Sequence, residues 1–130
     1  MIIGIGSDVI DINRINGTIK KFGYRFLKRC FNEKEINSSN KKFYTDKSIA
    51  KKFAAKEAIS KALGTGISNG IFWKDILISN DKFGKPIAEL RGNAEKKLNK
   101  LTPPNKTSLI NLTISDENNL AYAFVIISFS

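Results

Sequence analysis

One run of residues dictates an element of this chain before anything else is considered. From Phe53 it reads Phe53-Ala54-Ala55-Lys56-Glu57-Ala58-Ile59-Ser60-Lys61-Ala62-Leu63-Gly64-Thr65-Gly66, mostly strong helix formers. Gly64 falls where a C-cap glycine belongs, so the helix must stop near Leu63. Ile49, Phe53, Ile59, Ala62 and Leu63 are available for burial, and Thr45 or Asp46 is expected to cap the start. Glu57 and Lys61 stand one turn apart on one face. As an exposed ion pair they would contribute only ~0.3–0.5 kcal/mol. An acid, an amine and flexible backbone at one place also suit a phosphate ester.

The N-terminal segment, Ile2-Ile3-Gly4-Ile5-Gly6-Ser7-Asp8-Val9-Ile10-Asp11-Ile12, sets the second constraint. Its β-branched residues suit a buried strand. Gly4 and Gly6 interrupt it, as glycines do at a bulge or where another group approaches the backbone. Asp8 is then an acid inside an apolar strand, and a buried carboxylate needs a metal, a cation or several hydrogen bonds. Helix capping does not fill that need. Asp11, just ahead of Ile12 to Lys21, is better placed for it.

The rest of the pattern gives an α+β order, a small antiparallel sheet packed on one long helix and shorter helices. The first strand covers about Ile2 to Ile10, and helices are predicted from Ile12 to Phe22 and from Tyr24 to Cys30. Asn32 and Glu35 form a capping-box-like helix start, and Ser38-Ser39-Asn40 reads as a polar loop. Asp75 to Ser79 and Pro86 to Leu90 make a hairpin across Asn80-Asp81-Lys82-Phe83-Gly84. A short helix from Ala94 to Leu101 stops before Pro103-Pro104. Leu109 to Ile114 and Leu120 to Phe129 are strands linked through Asp116 to Asn119. Residues 1–130 read as one domain, without repeat or linker.

A net charge of +10 implies acidic partners. Lys20, Lys21, Arg25, Lys28 and Arg29 form one basic cluster, and Lys41, Lys42, Lys47, Lys51 and Lys52 another. Phe22, Tyr24, Phe26 and Phe31 interleave the first. Such interleaving can bind single-stranded nucleic acid; an amphipathic helix with its aromatics in the core is the commoner cause, and the aromatics are read as core. A single cysteine, Cys30, excludes an intramolecular disulfide and fits a reducing cytoplasm. Without histidine, Cys/His zinc sites and histidine triads are ruled out. No apolar run approaches the ~20 residues that span a bilayer, and a strand pattern stands where a signal peptide would have its basic region. A cytoplasmic protein is expected.

Two motifs carry the chemistry. The first is Gly6-Ser7-Asp8 followed by Arg14; the second has the form Phe-x-x-Lys-Glu-Ala-x-x-Lys-Ala-x-Gly-x-Gly, filled from Phe53 to Gly66 without a mismatch. With Gly84-Lys85-Pro86 and the closing Ala121 to Ile127, they resemble the holo-acyl-carrier-protein synthases, the small bacterial 4′-phosphopantetheinyl transferases, over nearly the whole chain. The resemblance implies Mg2+-dependent transfer of the 4′-phosphopantetheine group from coenzyme A to a serine of an acidic apo acyl carrier protein. Adenosine 3′,5′-bisphosphate would leave, and the reaction would support fatty acid biosynthesis. It also implies a homotrimer with sites at subunit boundaries. Asp8 and Glu57 match the metal ligands and, with Lys61, the catalytic set. Lys52, Ser60, Lys61, Gly64, Thr65, Gly66 and Lys85 are the expected coenzyme A contacts. Arg14, Arg25 and Arg29 are the expected landing face for the carrier protein.

Two departures from the family stand out. Lys52 replaces an arginine of some relatives, keeping charge but losing bidentate phosphate geometry. Thr113-Ile114-Ser115-Asp116 stands where many relatives carry a histidine, so a metal-bound water, Asp116 and Glu57 are the candidate proton acceptors. Two rival classes, a basic nucleic-acid-binding module and a silent scaffold for carrier protein, rank below the transferase. The first gives no reason for the acids Asp8 and Glu57, and the second would tolerate Glu57→Gln. Neither nucleic acid nor membrane is an expected partner.

Overall fold

A computed structural model describes residues 1–37, 47–68 and 70–130. The loop expected at Ser38-Ser39-Asn40, the cap expected at Thr45 or Asp46, and Lys41 and Lys42 lie outside the described residues.

Strand β1 (Ile2–Asp11) opens the chain. Asp11 ends it by capping α1 (Ile12–Phe22), its Oδ1 accepting from the Arg14 N–H at 3.0 Å. Gly23, at φ 58°, turns the chain into α2 (Tyr24–Cys30). Helix α3 (Glu33–Asn37) starts with the reciprocal bonds of a capping box. Asn32 Oδ1 accepts from the Lys34 N–H at 3.0 Å, and Glu35 Oε1 accepts from the Asn32 N–H at 2.9 Å. The long helix is α4 (Ser48–Ala62). A 3-10 turn (Trp73–Asp75) leads into the hairpin of β2 (Ile76–Asn80) and β3 (Pro86–Leu90). After α5 (Gly92–Leu101), the chain closes with the hairpin of β4 (Ser108–Glu117) and β5 (Leu120–Phe129). Strand β4 runs farther than the pattern predicts. Asp116 and Glu117 pair within the ladder, and only Asn118-Asn119 turns, with Asn118 at φ 54°.

The strands form two antiparallel sheets, one ordered β1-β5-β4 and one of β2 and β3, so the architecture is α+β as expected. Helix α4 lies against one face of the larger sheet and is buried on almost every side, through Ile49, Ala50, Ala54, Ala55, Ala58, Ile59 and Ala62. Its small residues let the strand come close, and the strand's glycines complete the approach. A Cβ on Gly6 would stand 1.9 Å from the Ala58 carbonyl oxygen, and one on Gly4 2.0 Å from that of Ala62. Strand alternation then puts Asp8 on the same face as Gly4 and Gly6, toward the helix.

The expectation of a wholly buried first strand is corrected. Ile5 is 60% and Val9 54% exposed, and Tyr122 and Phe124 beside them on β5 are also exposed. Only one face of this antiparallel sheet is covered by helix, so alternate residues look outward.

Candidate active site

The Gly4–Ala62 and Gly6–Ala58 contacts show that β1 and α4 run in opposite directions, bringing Asp8 beside the middle of the helix. Side chains on a helix lean toward its N-terminus. Lys61 therefore reaches back, and its Nζ donates to Asp8 Oδ1 at 2.9 Å and to the Ser7 carbonyl at 3.0 Å. The cation that Asp8 requires is thus present, and it is not shared with Glu57 as an i,i+4 surface pair. Glu57 instead accepts from the Trp73 indole N–H at 2.9 Å, through Oε1. Asp8 and Glu57 line one cavity of about 370 Å³, with Arg14, Thr18, Phe26 and Phe53 on its walls. The Asp8 side chain is only 15% exposed.

This donor set fits a magnesium ion shared with a substrate. Two carboxylates from separate elements face one cavity, and hard oxygen ligands of this kind suit Mg2+. Among the described residues no three metal-capable side chains cluster. A protein-only cage is therefore absent there, and phosphate and water oxygens would complete the ion's coordination.

The expected coenzyme A contacts lie in several different surroundings. Ser60 is fully buried and its hydroxyl donates to the Glu57 carbonyl at 2.7 Å, so its side chain serves the helix interior. Gly64, at φ 84°, and Gly66, at φ 64°, end the helix in left-handed backbone. The Gly64 N–H donates to the Lys61 carbonyl, and the N–H groups of Thr65 and Gly66 to that of Ser60. All three thereby satisfy carbonyls of the helix end. Lys52 lines a separate cavity of about 230 Å³ with Lys51, Asn80, Gly84 and Pro86. Burial lowers its ammonium below the ordinary lysine pKa, with Glu35 opposing. Lys85 lines a third cavity, of about 650 Å³, with Asp81, Glu89, Glu95 and residues 108–111. Within one chain, then, Lys52, Lys85 and the acid pair do not share a pocket.

Asp116 is committed elsewhere. Its two oxygens meet Lys51 at 2.8 Å and Lys47 at 3.1 Å, tying β4 to the start of α4. The hydrogen bonds from Lys51 and then Lys47 hold its carboxyl below the ordinary value of 3.8. A carboxylate so stabilised is a poor proton acceptor, and it does not line the Asp8 cavity.

The cationic face adjoins the acid pair. Arg14 lines the Asp8 cavity, while Arg25 and Arg29 line a neighbouring one of about 490 Å³ with Phe22. Thr18 and Phe26 border both, so one surface leads from the acids to the arginines. The reading of the interleaved aromatics as core is corrected in part. Phe31 is buried and Phe26 stacks on Phe53, with ring centroids 6.2 Å apart, but Phe22 and Tyr24 are exposed. At the junction of two short helices only one side of each meets the core.

Sequence reasoning missed the group that braces this site. Lys56, inside the second motif, is fully buried. Its Nζ donates to Glu35 Oε1 at 2.7 Å, to the Trp73 carbonyl at 2.9 Å and to the Ile76 carbonyl, and it lies over the Phe31 ring. Glu35 Oε2 accepts from the Ile78 N–H at 3.0 Å. Burial lowers the Lys56 pKa, and Glu35 opposes that. The available signal was the alanines at 54, 55 and 58, which mark a helix packed tightly on several sides.

A family model described as the 4′-phosphopantetheinyl transferase superfamily matches residues 4–123. The chain belongs to that superfamily, and it is an enzyme of the phosphopantetheinyl transferase class. Within the class it is similar to the holo-[acyl-carrier-protein] synthase of Sinorhizobium fredii, 51% identical over 127 residues that cover 98% of this chain and 91% of that protein. The corresponding synthase of Parvibaculum lavamentivorans is 49% identical over 128 residues, 98% of this chain and 96% of that one. Among solved structures, the synthase of Neisseria meningitidis superposes with a TM-score of 0.82 at 34% identity, over 98% of this chain and 99% of that one. The Helicobacter pylori synthase in complex with coenzyme A gives 0.79 at 33% identity, over 95% and 99%.

Proposed function

We propose that this enzyme transfers 4′-phosphopantetheine from coenzyme A to a serine of an apo acyl carrier protein, with Mg2+, in the cytoplasm and in support of fatty acid biosynthesis. The convergence of Asp8 and Glu57 on one cavity, with Lys61 bonded to Asp8, carries the reading. The names of its relatives and the coenzyme A complex of the Helicobacter pylori protein support it.

The chemical problem is a polyanionic electrophile and a poor nucleophile, and positioning with charge neutralisation solves it. Asp8 and Glu57 would hold Mg2+, which when bound would neutralise charge on the pyrophosphate. Lys61 stands beside Asp8 to stabilise charge on the transferred phosphate or the leaving group. Arg14, Arg25 and Arg29 attract an acidic carrier protein, and exposed Phe22 and Tyr24 give it apolar contact.

We further read the molecule as one transferase domain that works as a homotrimer. The uncovered sheet face carries Ile5, Val9, Tyr122 and Phe124, with Leu109 nearby, and contiguous exposed apolar surface of this kind marks an interface. Sites shared between copies would also let Lys85 of one chain serve the acid pair of another.

The test is mass spectrometry of an apo carrier protein incubated with coenzyme A, Mg2+ and the enzyme. Gain of the phosphopantetheine mass, lost on chelation, is expected. Glu57→Gln and Asp8→Asn should each fold and lose transfer by roughly 100-fold or more. Full activity in Glu57→Gln would remove the acid pair from the mechanism.

A further inference from the structure

The geometry points to Trp73 as a positioning residue that fixes the Glu57 carboxylate for the divalent ion. This rests on the reading of Glu57 as a metal ligand given above.

Among the described residues the Glu57 carboxylate receives a single hydrogen bond, from Trp73 Nε1 at 2.9 Å to Oε1. That bond restricts rotation of the carboxyl group and leaves Oε2 for an ion. Outer partners of this type orient a ligand and raise its basicity, and losing one typically costs 10–100-fold in metal affinity or activity.

The indole is itself held from two directions. Its backbone carbonyl accepts from the buried Lys56 ammonium at 2.9 Å, and that ammonium is fixed in turn by Glu35 and the Ile76 carbonyl. The ring tilts against Phe53, with centroids 5.7 Å apart, and Phe53 lines the Asp8 cavity. Lys56 and Glu57 are adjacent in sequence. One end of this brace therefore starts from Lys56, passes through Trp73 and returns to its neighbour Glu57.

Trp73→Phe keeps the ring contacts and removes the donor. The measurement is Mn2+ affinity with saturating coenzyme A and no carrier protein, read from the electron paramagnetic resonance of free Mn2+. The variant should bind about 10-fold more weakly, with a melting temperature close to that of the unaltered enzyme. In turnover assays the Mg2+ concentration for half-maximal rate should rise similarly, while kcat at saturating Mg2+ stays near its starting value. An Mn2+ affinity within twofold of the unaltered enzyme overturns the proposal.

Trp73 is the sole tryptophan, so its emission gives a second readout should Trp73→Phe fail to fold. Mg2+ added to the unaltered enzyme with coenzyme A should shift that emission, and Glu57→Gln should abolish the response. An unshifted emission overturns the proposal in that case. If the unaltered enzyme binds no Mn2+, the proposed function falls with it. If binding is present, is lost in Glu57→Gln and is unchanged in Trp73→Phe, the positioning role alone is wrong.

Discussion

At Asp8 two cations address one carboxylate, the Lys61 ammonium at 2.9 Å and, in the proposed reaction, Mg2+. Lys61→Met should therefore tighten Mg2+ binding by about fivefold, the ~1 kcal/mol of one exposed ion pair, while transfer falls by roughly 100-fold. Calorimetric titration checks the first part, and an unaltered affinity would show that Lys61 does not compete. Asp116 invites a different expectation. Its carboxylate is engaged by Lys51 and Lys47, so Asp116→Asn should leave the pH profile of transfer unchanged. A shifted limb in that profile would return Asp116 to the mechanism. The same pairing affects stability. A carboxyl held below its ordinary 3.8 contributes fully above that value and loses its contribution as pH falls through the lower folded one. The stability gap between the unaltered protein and Asp116→Asn should thus narrow below about pH 4. Cys30, pushed up to about 11 by burial, stays a thiol at neutral pH.

At the scale of elements, the contact of β1 with α4 decides whether a site exists. Gly6→Ala places a methyl group 1.9 Å from the Ala58 carbonyl oxygen, and neither backbone has room to yield. A loss of about 3 kcal/mol or more is expected, read from the denaturant midpoint; a stable Gly6→Ala protein would mean the helix can retreat without cost. Lys56→Met tests the buried pair. It removes the Lys56 counter-charge from the buried Glu35 carboxylate, which keeps its bonds from the Asn32 and Ile78 N–H groups, and breaking such pairs typically costs about 3–5 kcal/mol. These elements were partly legible beforehand. Asp11 as a cap, Gly64 as a helix stop and the capping box at Asn32 follow from local chemistry, and each is present. The length of β4 did not follow, because ladder pairing to β5 extends a strand through residues whose own preferences favour a turn.

For the whole molecule, the outward face of the larger sheet exposes a group of large apolar side chains, Ile5, Val9, Leu109, Tyr122 and Phe124. If three copies bury it, sedimentation should show a trimer, and Phe124→Lys should yield monomers. Those monomers should also lose transfer, because Lys85 and Asp8 line different cavities of a single chain. A fully active monomer would overturn the shared-site reading.

The order of residues alone settled what is short-range or stereotyped: helix ends, the glycine-relieved strand, and motifs specific enough to name a family. It also singled out Asp8, because an acid within an apolar strand is costly without a partner, and Glu57 by its place in the second motif. The fold decided which partner each group takes. Lys61 chose Asp8 over Glu57, Glu57 took Trp73, the N–H groups of Thr65 and Gly66 closed a helix, and Lys56 became a buried brace. Those outcomes depend on which surfaces meet across long sequence separations, and desolvation and close packing set that only once the chain has collapsed.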